Sequence, residues 1–255
     1  SLYFGVRYSN SLLRKIMSLS LGLGADSSSY QEFSLGDVPG LKLWLKNNTN
    51  VAVARWDSSA SVTNSISADE ANQGTVSGGG LDLDGSADVY ELASNIAIAE
   101  NGGFCLAVVV DLDVVDNATI AADDSAADAQ LTIVDDTSFR FKSSGAPSTT
   151  TTFVFPSGTF TTSKMLILLN RTSGASNKFT FAKNGSPLTP DVDNSVNEAQ
   201  GENPKPFDFV YVGAIGTAPE QFLNGKILEL AFWSNALNAT QIAEVNSYLQ
   251  DIHGL

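Results

Sequence analysis

Short stretches in which apolar and polar residues alternate recur along the chain from Val38 onward. Leu41-Lys42-Leu43-Trp44-Leu45 and Leu81-Asp82-Leu83-Asp84 each place their leucines on one face of an extended segment, which is the pattern of a half-buried β-strand. Residues 104–112 form a short and almost wholly apolar run, as in a strand that is covered on both faces. These patterns predict strands that pack in layers.

Further strands are predicted where turn residues separate short apolar runs. The predicted strands are residues 131–134, 139–141, 164–170, 178–182, 207–213 and 226–233. The pair Asn184-Gly185 predicts a tight hairpin turn, because both positions tolerate a positive φ. Residues 113–130 fit a loop or a short helix and stay unassigned, and residues 143–152 are predicted to form a polar, Thr-rich excursion between strands.

A helix over residues 239–252 is predicted to end the domain. Asn238 is a suitable N-cap, Gln241 completes a capping box, and Gly254 provides the stop. Apolar residues at helical spacing predict a buried stripe. The stripe consists of Ile242, Val245, Leu249 and Ile252. Residues 37–255 are therefore interpreted as one antiparallel all-β domain that ends in a short helix.

Residues 1–36 differ from the rest of the chain in being rich in apolar and aromatic side chains. Apolar tails become ordered only when something ties them down, so this segment would dock either on its own domain or on a neighbouring molecule. We favour an extended arm that anchors the protein on a neighbouring molecule. The predicted anchors are Tyr3, Phe4, Tyr8, Leu12, Leu13, Ile16, Leu19 and Leu21. A second interpretation is a secretory signal, in which Arg14 and Lys15 precede the apolar residues 16–23 and Ala25 marks the cleavage site.

Charge is divided unevenly between the arm and the domain. The formal net charge is −14, and the first 16 residues contain Arg7, Arg14 and Lys15 but no acid, so the remainder carries −17. Such a body repels phosphate backbones, so nucleic acid is not an expected partner. The basic arm could meet an acidic surface on a partner, and the alternative interpretation is that the acidity of the domain only keeps a β-rich protein soluble. No run approaches the roughly 18 apolar residues that a membrane-spanning helix needs.

Paired carboxylates are the main candidates for chemistry. The candidates are Asp82 with Asp84, Asp111 with Asp113, and Asp123 with Asp124. The first two pairs have the alternate spacing of a two-carboxylate glycosidase, but no Glu accompanies them to act as the acid. Together the aspartates could supply oxygens to calcium, although the chain has no dense loop of alternating Asp and Asn. We therefore expect no enzymatic activity and no required cofactor, with calcium as the alternative.

Single residues of other reactive types indicate structure rather than catalysis. His253 is the only histidine and lies at a chain end that we expect to be frayed, so neither a Ser-His-Asp arrangement nor a zinc site is expected. Cys105 falls in a predicted buried strand. Trp44 and Trp233 are expected in the core, whereas Trp56, between two charged residues, is the candidate for stacking on a sugar.

The motif Phe222-Leu-Asn-Gly225-Lys-Ile227-Leu-Glu229, followed by an apolar strand and a short helix, resembles the end of laminin-G-like, or concanavalin-A-like lectin/glucanase, domains. Other shared motifs, in the same order, are residues 39–45, 83–85 and 184–185. The resemblance spans residues 38–252, with a departure at residues 56–60, where the family often has a Gly after the Ser. It implies a two-sheet antiparallel jelly roll whose concave face or rim loops hold carbohydrate.

The segment Met17-Ser-Leu-Ser-Leu-Gly-Leu-Gly, followed after a polar stretch by Val38-Pro-Gly-Leu-Lys-Leu-Trp-Leu, resembles small virion-associated proteins of tailed bacteriophages. This implies a non-enzymatic structural protein on the virion surface, present in several copies or as a homo-oligomer. Its arm would bind capsid or tail proteins, and its outward sandwich would meet a host surface glycan. The alternative is a free lectin-like module that recognises cell-surface glycans through Trp56 and the rim loops.

Overall fold

The alternating segments of the sequence form β-strands in this computed structural model, which describes residues 33–59, 62, 64–123, 129–144, 150–174, 178–193, 206–215 and 220–255. Within these ranges the strands are β1 (Leu41–Leu45), β2 (Val51–Ala52), β3 (Arg55–Asp57), β4 (Ser65–Ser67), β5 (Thr75–Ser77), β6 (Gly80–Asp84), β7 (Tyr90–Ile98), β8 (Phe104–Leu112), β9 (Ala118–Ala122), β10 (Gln130–Ile133), β11 (Ser138–Lys142), β12 (Thr150–Val154), β13 (Met165–Arg171), β14 (Phe179–Lys183), β15 (Ser186–Leu188), β16 (Val192–Asp193), β17 (Phe207–Val212) and β18 (Asn224–Trp233). The helices are two short 3-10 turns, Leu35–Asp37 and Glu70–Asn72, and one α-helix, α1 (Ala239–His253).

All these elements belong to one compact unit, Ser34–Leu255. The Ser34 side chain caps the first 3-10 turn, and Leu35 within that turn is fully buried. The eight predicted arm anchors, from Tyr3 to Leu21, lie outside the described residues, as does the segment considered as a secretory signal.

The strands pair into two antiparallel sheets. The first sheet has the order β15-β14-β13-β8-β18-β6-β5, and β1 pairs with the second half of β18. The second sheet has the order β16-β12-β11-β10-β9-β17-β7-β4-β3-β2. Strands that are consecutive in the chain pair in hairpins, such as β13-β14 and β14-β15, whereas others, such as β8 with β18 and β7 with β17, are far apart in the chain and pair over a long range.

The core lies between the two sheets and is rich in phenylalanine. Phe104 of the first sheet stacks on Phe207 of the second at 5.7 Å between ring centroids, and on Phe232 at 5.6 Å. Phe153 and Phe181 meet edge to face at 4.8 Å across the same space. Such ring pairs add to the stabilisation that comes from burying their area. The predicted all-β, two-sheet antiparallel sandwich with a C-terminal helix is confirmed.

Strand β8 is almost wholly apolar because it is covered on both faces. Leu106, Val108 and Val110 point into the core between the sheets. Cys105 and Val109, on the alternate positions, are also fully buried, since α1 packs against β8 and β13 on the outer face of the first sheet. When both faces of a strand are buried, neither face is exposed to solvent, so polar residues are not favoured at either set of positions.

Helix α1 begins and ends where the sequence predicts. The Asn238 side chain accepts from the Gln241 backbone N–H at 3.0 Å, the Gln241 side chain completes the capping box, and Gly254 is left-handed. The predicted buried stripe is wrong at Ile252, which is 51% exposed. The buried side chains of α1 are Val245, Asn246, Leu249 and His253. No helix in the described part of the chain is long and apolar enough to cross a membrane.

Two segments between the predicted strands contain strands of their own. Residues 113–130, which the sequence left unassigned, include β9. The predicted polar excursion over residues 143–152 is wrong at its end, because Thr150 to Thr152 pair with β11 as part of β12. The predicted hairpin turn is confirmed, with φ of 48° at Asn184 and 75° at Gly185 between β14 and β15.

Candidate functional site

A cleft of about 400 Å³ opens at the edge of the first sheet, beside β5, β6 and the start of β18. Its polar lining consists of Gln73, Thr75, Asp82, Asp84, Asp88, Asp113 and Asn224, with Gly74 and Leu83 between them. Four carboxylates and two amides thus converge from segments that are distant in sequence. Such groups accept and donate the hydrogen bonds that hydroxyl-rich ligands form.

Glycines allow the segments around the cleft to approach closely. A Cβ on Gly74 would lie 2.4 Å from the Asp82 carbonyl oxygen, and a Cβ on Gly85 would lie 2.6 Å from the Asn224 Cβ. The Gly74 N–H donates to the Tyr90 hydroxyl at 3.1 Å, which holds this backbone beside β6. The cleft walls therefore depend on positions where a side chain would not fit.

Asp84 and Asp88 lie in the same turn, and their pKa values are shifted in opposite directions. The Asp84 carboxylate accepts from the Ser86 hydroxyl at 2.8 Å and from the Ser86 N–H at 2.8 Å, and these hydrogen bonds lower the pKa of Asp84. Asp88 is only 5% exposed, and this burial raises its pKa, although its carboxylate accepts from the Asp84 N–H at 2.7 Å. The turn thus holds one readily ionised and one less readily ionised carboxyl group.

The two predicted aspartate pairs are separated by a lysine. Lys226 on β18 lies opposite Asp82 on β6 and Asp111 on β8, and its Nζ is 3.9 Å from each carboxylate. Asp82 and Asp84 line the cleft together with Asp113, whereas Asp111 lies on the far side of Lys226 in the strand order. Of the second pair, only Asp113 therefore lines the cleft.

The remaining predicted oxygen ligands are not gathered here. Asp123 is fully buried, and its carboxylate accepts from the Ala129 N–H at 2.9 Å, while Asp124 lies outside the described residues. Among the residues that the structure describes, no group of three or more His, Cys, Asp and Glu is arranged to hold a metal ion.

His253 is not at a frayed end, which corrects the sequence-based expectation. It is 8% exposed, and its Nε2 lies 2.8 Å from the Glu229 carboxylate, which also accepts from Trp44 Nε1 at 2.7 Å. Glu229 is 1% exposed. These three polar side chains join α1 to the outer face of the first sheet, and the sequence showed no sign of this cluster because Trp44 and His253 lie at opposite ends of the domain.

Cys105 is fully buried in β8, and burial raises the pKa of its thiol. The reactive form of cysteine is the thiolate, so this thiol is inert in the folded protein. The histidine and the cysteine of this chain are thus both enclosed by packed structure and do not reach the cleft.

The three tryptophans are all buried, including the one predicted to bind sugar. Trp44 and Trp233 are in packed positions, as expected. Trp56 on β3 is fully buried in the core, and its Nε1 donates to the Thr49 carbonyl oxygen at 3.0 Å. Its ring has no face open to solvent, so the prediction that Trp56 stacks on a sugar does not fit its position. The charged neighbours Arg55 and Asp57 point outward because successive strand residues alternate in direction.

No protein-family model matches the sequence, and no curated protein matches it. Solved structures do share its fold. Trypanosoma rangeli sialidase, also solved in complex with sialic acid, is 15% identical over 85% of this chain and 33% of the sialidase chain, with a TM-score of 0.53. The receptor binding domain of botulinum neurotoxin D is 14% identical over 85% of this chain and 54% of that domain, with a TM-score of 0.56.

This chain therefore spans about a third of the sialidase and about half of the neurotoxin domain. Likeness at this level of identity supports the β-sandwich fold and carries no activity from one protein to the other.

Proposed function

We propose that this chain is a non-enzymatic structural protein of a tailed-bacteriophage virion, held on the particle by residues 1–36 and displaying the sandwich outward. The observation that carries the proposal is the division of the sequence into an apolar, basic segment and an acidic body. The resemblance of the segments from Met17 and from Val38 to virion-associated proteins agrees with it. The chain would be present on the virion surface in several copies.

The buried state of the usual catalytic groups supports a role without chemistry. His253 is engaged with Glu229 under α1, and Cys105 is enclosed in β8. A general base must reach the proton that it abstracts, and a nucleophile must reach its substrate. Neither residue is placed to do so.

The arm proposal is tested with a shortened chain that starts at Ser34. This chain keeps the buried Leu35 and the whole compact unit, so we expect it to melt like the full protein. It should fail to join particles in an assembly reaction with purified capsid and tail proteins. The matched control is the full chain with Ile252→Ser, which removes an exposed apolar side chain outside the arm and should bind normally. Equal incorporation of the shortened chain would exclude the arm as the anchor.

A second candidate function is recognition of a cell-surface glycan, and the cleft is the observation that favours it. Its carboxylates and amides are suited to hydrogen bonds with sugar hydroxyl groups. Both functions are compatible, because a sandwich on a particle surface is well placed to meet a host cell. Part of a receptor binding domain and part of a sialidase share the fold. This likeness does not identify a ligand of the present chain.

The glycan proposal is tested on an array of cell-surface glycans with the purified full chain. Asp113→Asn neutralises an exposed cleft carboxylate without removing bulk, and loss of a charge-assisted hydrogen bond should weaken binding about tenfold or more. Asp251→Asn, an equal charge change on the exposed side of α1, is the control and should bind like the wild type. An array with no bound glycan, or equal binding by both variants, would remove the cleft as a glycan site.

A further inference from the structure

Asparagine followed by glycine occurs at three places in the sequence, and the three asparagines have different hydrogen-bonding environments in the folded chain. The pairs are Asn101-Gly102, Asn184-Gly185 and Asn224-Gly225. Asparagine is a thermolabile residue, and a following glycine has no side chain to hinder the approach of its backbone nitrogen. In an unfolded chain the three pairs would therefore react alike, so any difference among them comes from the fold.

We propose that Asn101 is a site of spontaneous deamidation in the folded protein. The backbone nitrogen of Gly102 attacks Cγ of Asn101 and forms a new C–N bond, while the bond from Cγ to Nδ2 breaks. Ammonia leaves with the proton of the Gly102 amide, and a five-membered succinimide remains. Water then opens either carbonyl of the ring and yields aspartate or isoaspartate, so no oxidant or reductant is needed.

Asn101 has the freedom that this reaction requires. It is exposed and left-handed, with φ of 63°, in the turn between β7 and β8. Among the described residues its side-chain amide has no hydrogen-bond partner. The Gly102 N–H donates to the Ala99 carbonyl oxygen at 2.9 Å, and the Asn101 carbonyl oxygen accepts from the N–H of the exposed Gly174 at 2.9 Å, so two backbone hydrogen bonds in turns must open for the nitrogen to attack. Short solvent-exposed turns open at low cost.

Asn184 is held by its own side chain. Its Oδ1 accepts from the N–H of the buried Leu166 at 2.8 Å, and its backbone oxygen accepts from Gln250 of α1 at 2.8 Å. Rotating the Asn184 amide toward Gly185 leaves the Leu166 N–H without an acceptor inside the sheet, which is unfavourable. Gln250 also covers Gly185, since a Cβ there would lie 2.2 Å from its side-chain oxygen.

Asn224 is held by the sheet itself. It begins β18, which pairs with β6 on one side and β8 on the other, and its carbonyl oxygen accepts from the Asp113 N–H at 3.0 Å. A strand in the middle of a sheet opens only with much of the domain. The order of reactivity in the folded chain is therefore Asn101, then Asn184, then Asn224.

Deamidation at this turn would also disturb a contact with the interior of the sandwich. The Gly102 carbonyl oxygen accepts from Arg171 Nε at 3.0 Å and from Arg171 Nη2 at 2.7 Å. Arg171 is fully buried, with its guanidinium 4.7 Å from the centre of the Phe104 ring. Isoaspartate at position 101 lengthens the main chain by one methylene group next to Gly102. The aged protein should therefore melt at a lower temperature than the fresh protein.

The test follows the three sites by peptide mapping with mass spectrometry, during incubation of the full folded chain at mildly alkaline pH below its unfolding transition. We expect Asn101 to convert at least about tenfold faster than Asn184, which is a barrier difference of about 1.4 kcal/mol. In denaturant, the three sites should convert at similar rates. Asn101→Gly is the matched variant, because glycine accepts the positive φ and removes the reactive amide.

Three results would overturn the proposal. One is conversion of Asn184 or Asn224 as fast as Asn101 in the folded chain. Another is an absence of conversion at Asn101 over a period in which the denatured chain reacts. The third is an equal loss of melting temperature on ageing in the wild type and in Asn101→Gly, because the variant lacks the amide that reacts.

Discussion

His253 Nε2 lies 2.8 Å from Glu229 Oε2, and this contact joins the last turn of α1 to β18. Carboxylate oxygens are hydrogen-bond acceptors, so the His253 ring nitrogen is assigned as the donor in this contact. Trp44 Nε1 donates to the other carboxylate oxygen at 2.7 Å. Both oxygens of the buried Glu229 carboxylate therefore have a hydrogen-bond partner. Removing one partner leaves an oxygen buried without one, which lowers the stability of the folded protein.

The first prediction concerns this buried contact. His253→Ala should lower the free energy of unfolding by about 3 kcal/mol, because it removes one partner of a buried polar pair. His253→Gln, which keeps an N–H donor, should lose less. Urea unfolding measures both, and Asp251→Asn on the exposed face of the same turn should change stability by no more than about 0.5 kcal/mol. A His253→Ala protein as stable as the wild type would show that Glu229 does not need this donor.

The second prediction concerns the entry to α1, where one amide satisfies two backbone groups. The Leu237 N–H donates to Asn170 Oδ1 at 2.8 Å, and Asn170 Nδ2 donates to the Leu237 carbonyl oxygen at 3.2 Å. Asn170→Asp keeps the acceptor but places a second oxygen against the carbonyl, so we expect a loss of about 2 kcal/mol. Chemical denaturation measures the loss. Hydrogen exchange should also become faster in α1, and unchanged exchange there would contradict the assigned role.

The third prediction concerns the glycine at the start of β18. Gly225 has φ of 129°, and a Cβ there would lie 2.6 Å from both the Asp111 carbonyl oxygen and the Leu112 Cα. Gly225→Ala should therefore cost about 3 kcal/mol or more, since backbone must move in the centre of the sheet.

Gly158 provides the matched control for Gly225. It also has a positive φ, 77°, but a Cβ there would meet nothing within 4 Å. Gly158→Ala should cost only the conformational strain of about 1 kcal/mol. Thermal melts compare the two variants, and equal losses would mean that close approach at Gly225 contributes nothing.

The fourth prediction is a pH dependence at Tyr90. Burial raises the pKa of Tyr90 from 10.0 to about 12, and its hydroxyl donates to the Val53 carbonyl oxygen at 2.6 Å. The unfolded chain loses this proton at lower pH than the folded chain, so the stabilisation is complete below pH 10 and is lost as the pH rises toward 12. The loss from this residue is of the order of 2 kcal/mol.

Tyr90→Phe isolates that contribution. The variant should be about 1 kcal/mol less stable at neutral pH, because it lacks the hydroxyl hydrogen bonds. Its stability should then fall less steeply than that of the wild type between pH 10 and 12. Urea unfolding at several pH values gives both slopes, and parallel slopes would show that Tyr90 does not titrate differently in the two states.

Local patterns in the sequence were sufficient for many elements. The alternation in Leu41–Leu45 and the capping box of Asn238 with Gln241 act over a few residues, so neighbouring side chains reveal them. The Asn184-Gly185 turn was predictable for the same reason. The threonines at the start of β12, Thr150 to Thr152, were misjudged as part of a loop, because threonine suits both loops and the faces of strands.

Side chains that depend on distant contacts were not predictable. Trp56 looked exposed because its neighbours Arg55 and Asp57 are charged, yet its strand turns the ring into the core. His253 was expected at a frayed end because it is near the end of the helix, yet its ring is buried and contacts the Glu229 carboxylate. The stripe on α1 was misplaced at Ile252 because helical spacing shows an apolar face but not how far the sheet extends beneath it.

By itself the sequence determined that this chain forms short strands, tight turns and one capped helix, and that its first 36 residues differ in character from the rest. The tertiary structure alone decided the strand order, the cleft at the sheet edge and the contact between Glu229 and His253. A register shift in β18 between Ile227 and Glu229 illustrates the reason. One extra residue there directs Glu229 to the outer face while Ile227 stays in the core, and only pairing with β8, a strand far away in the chain, makes that shift visible.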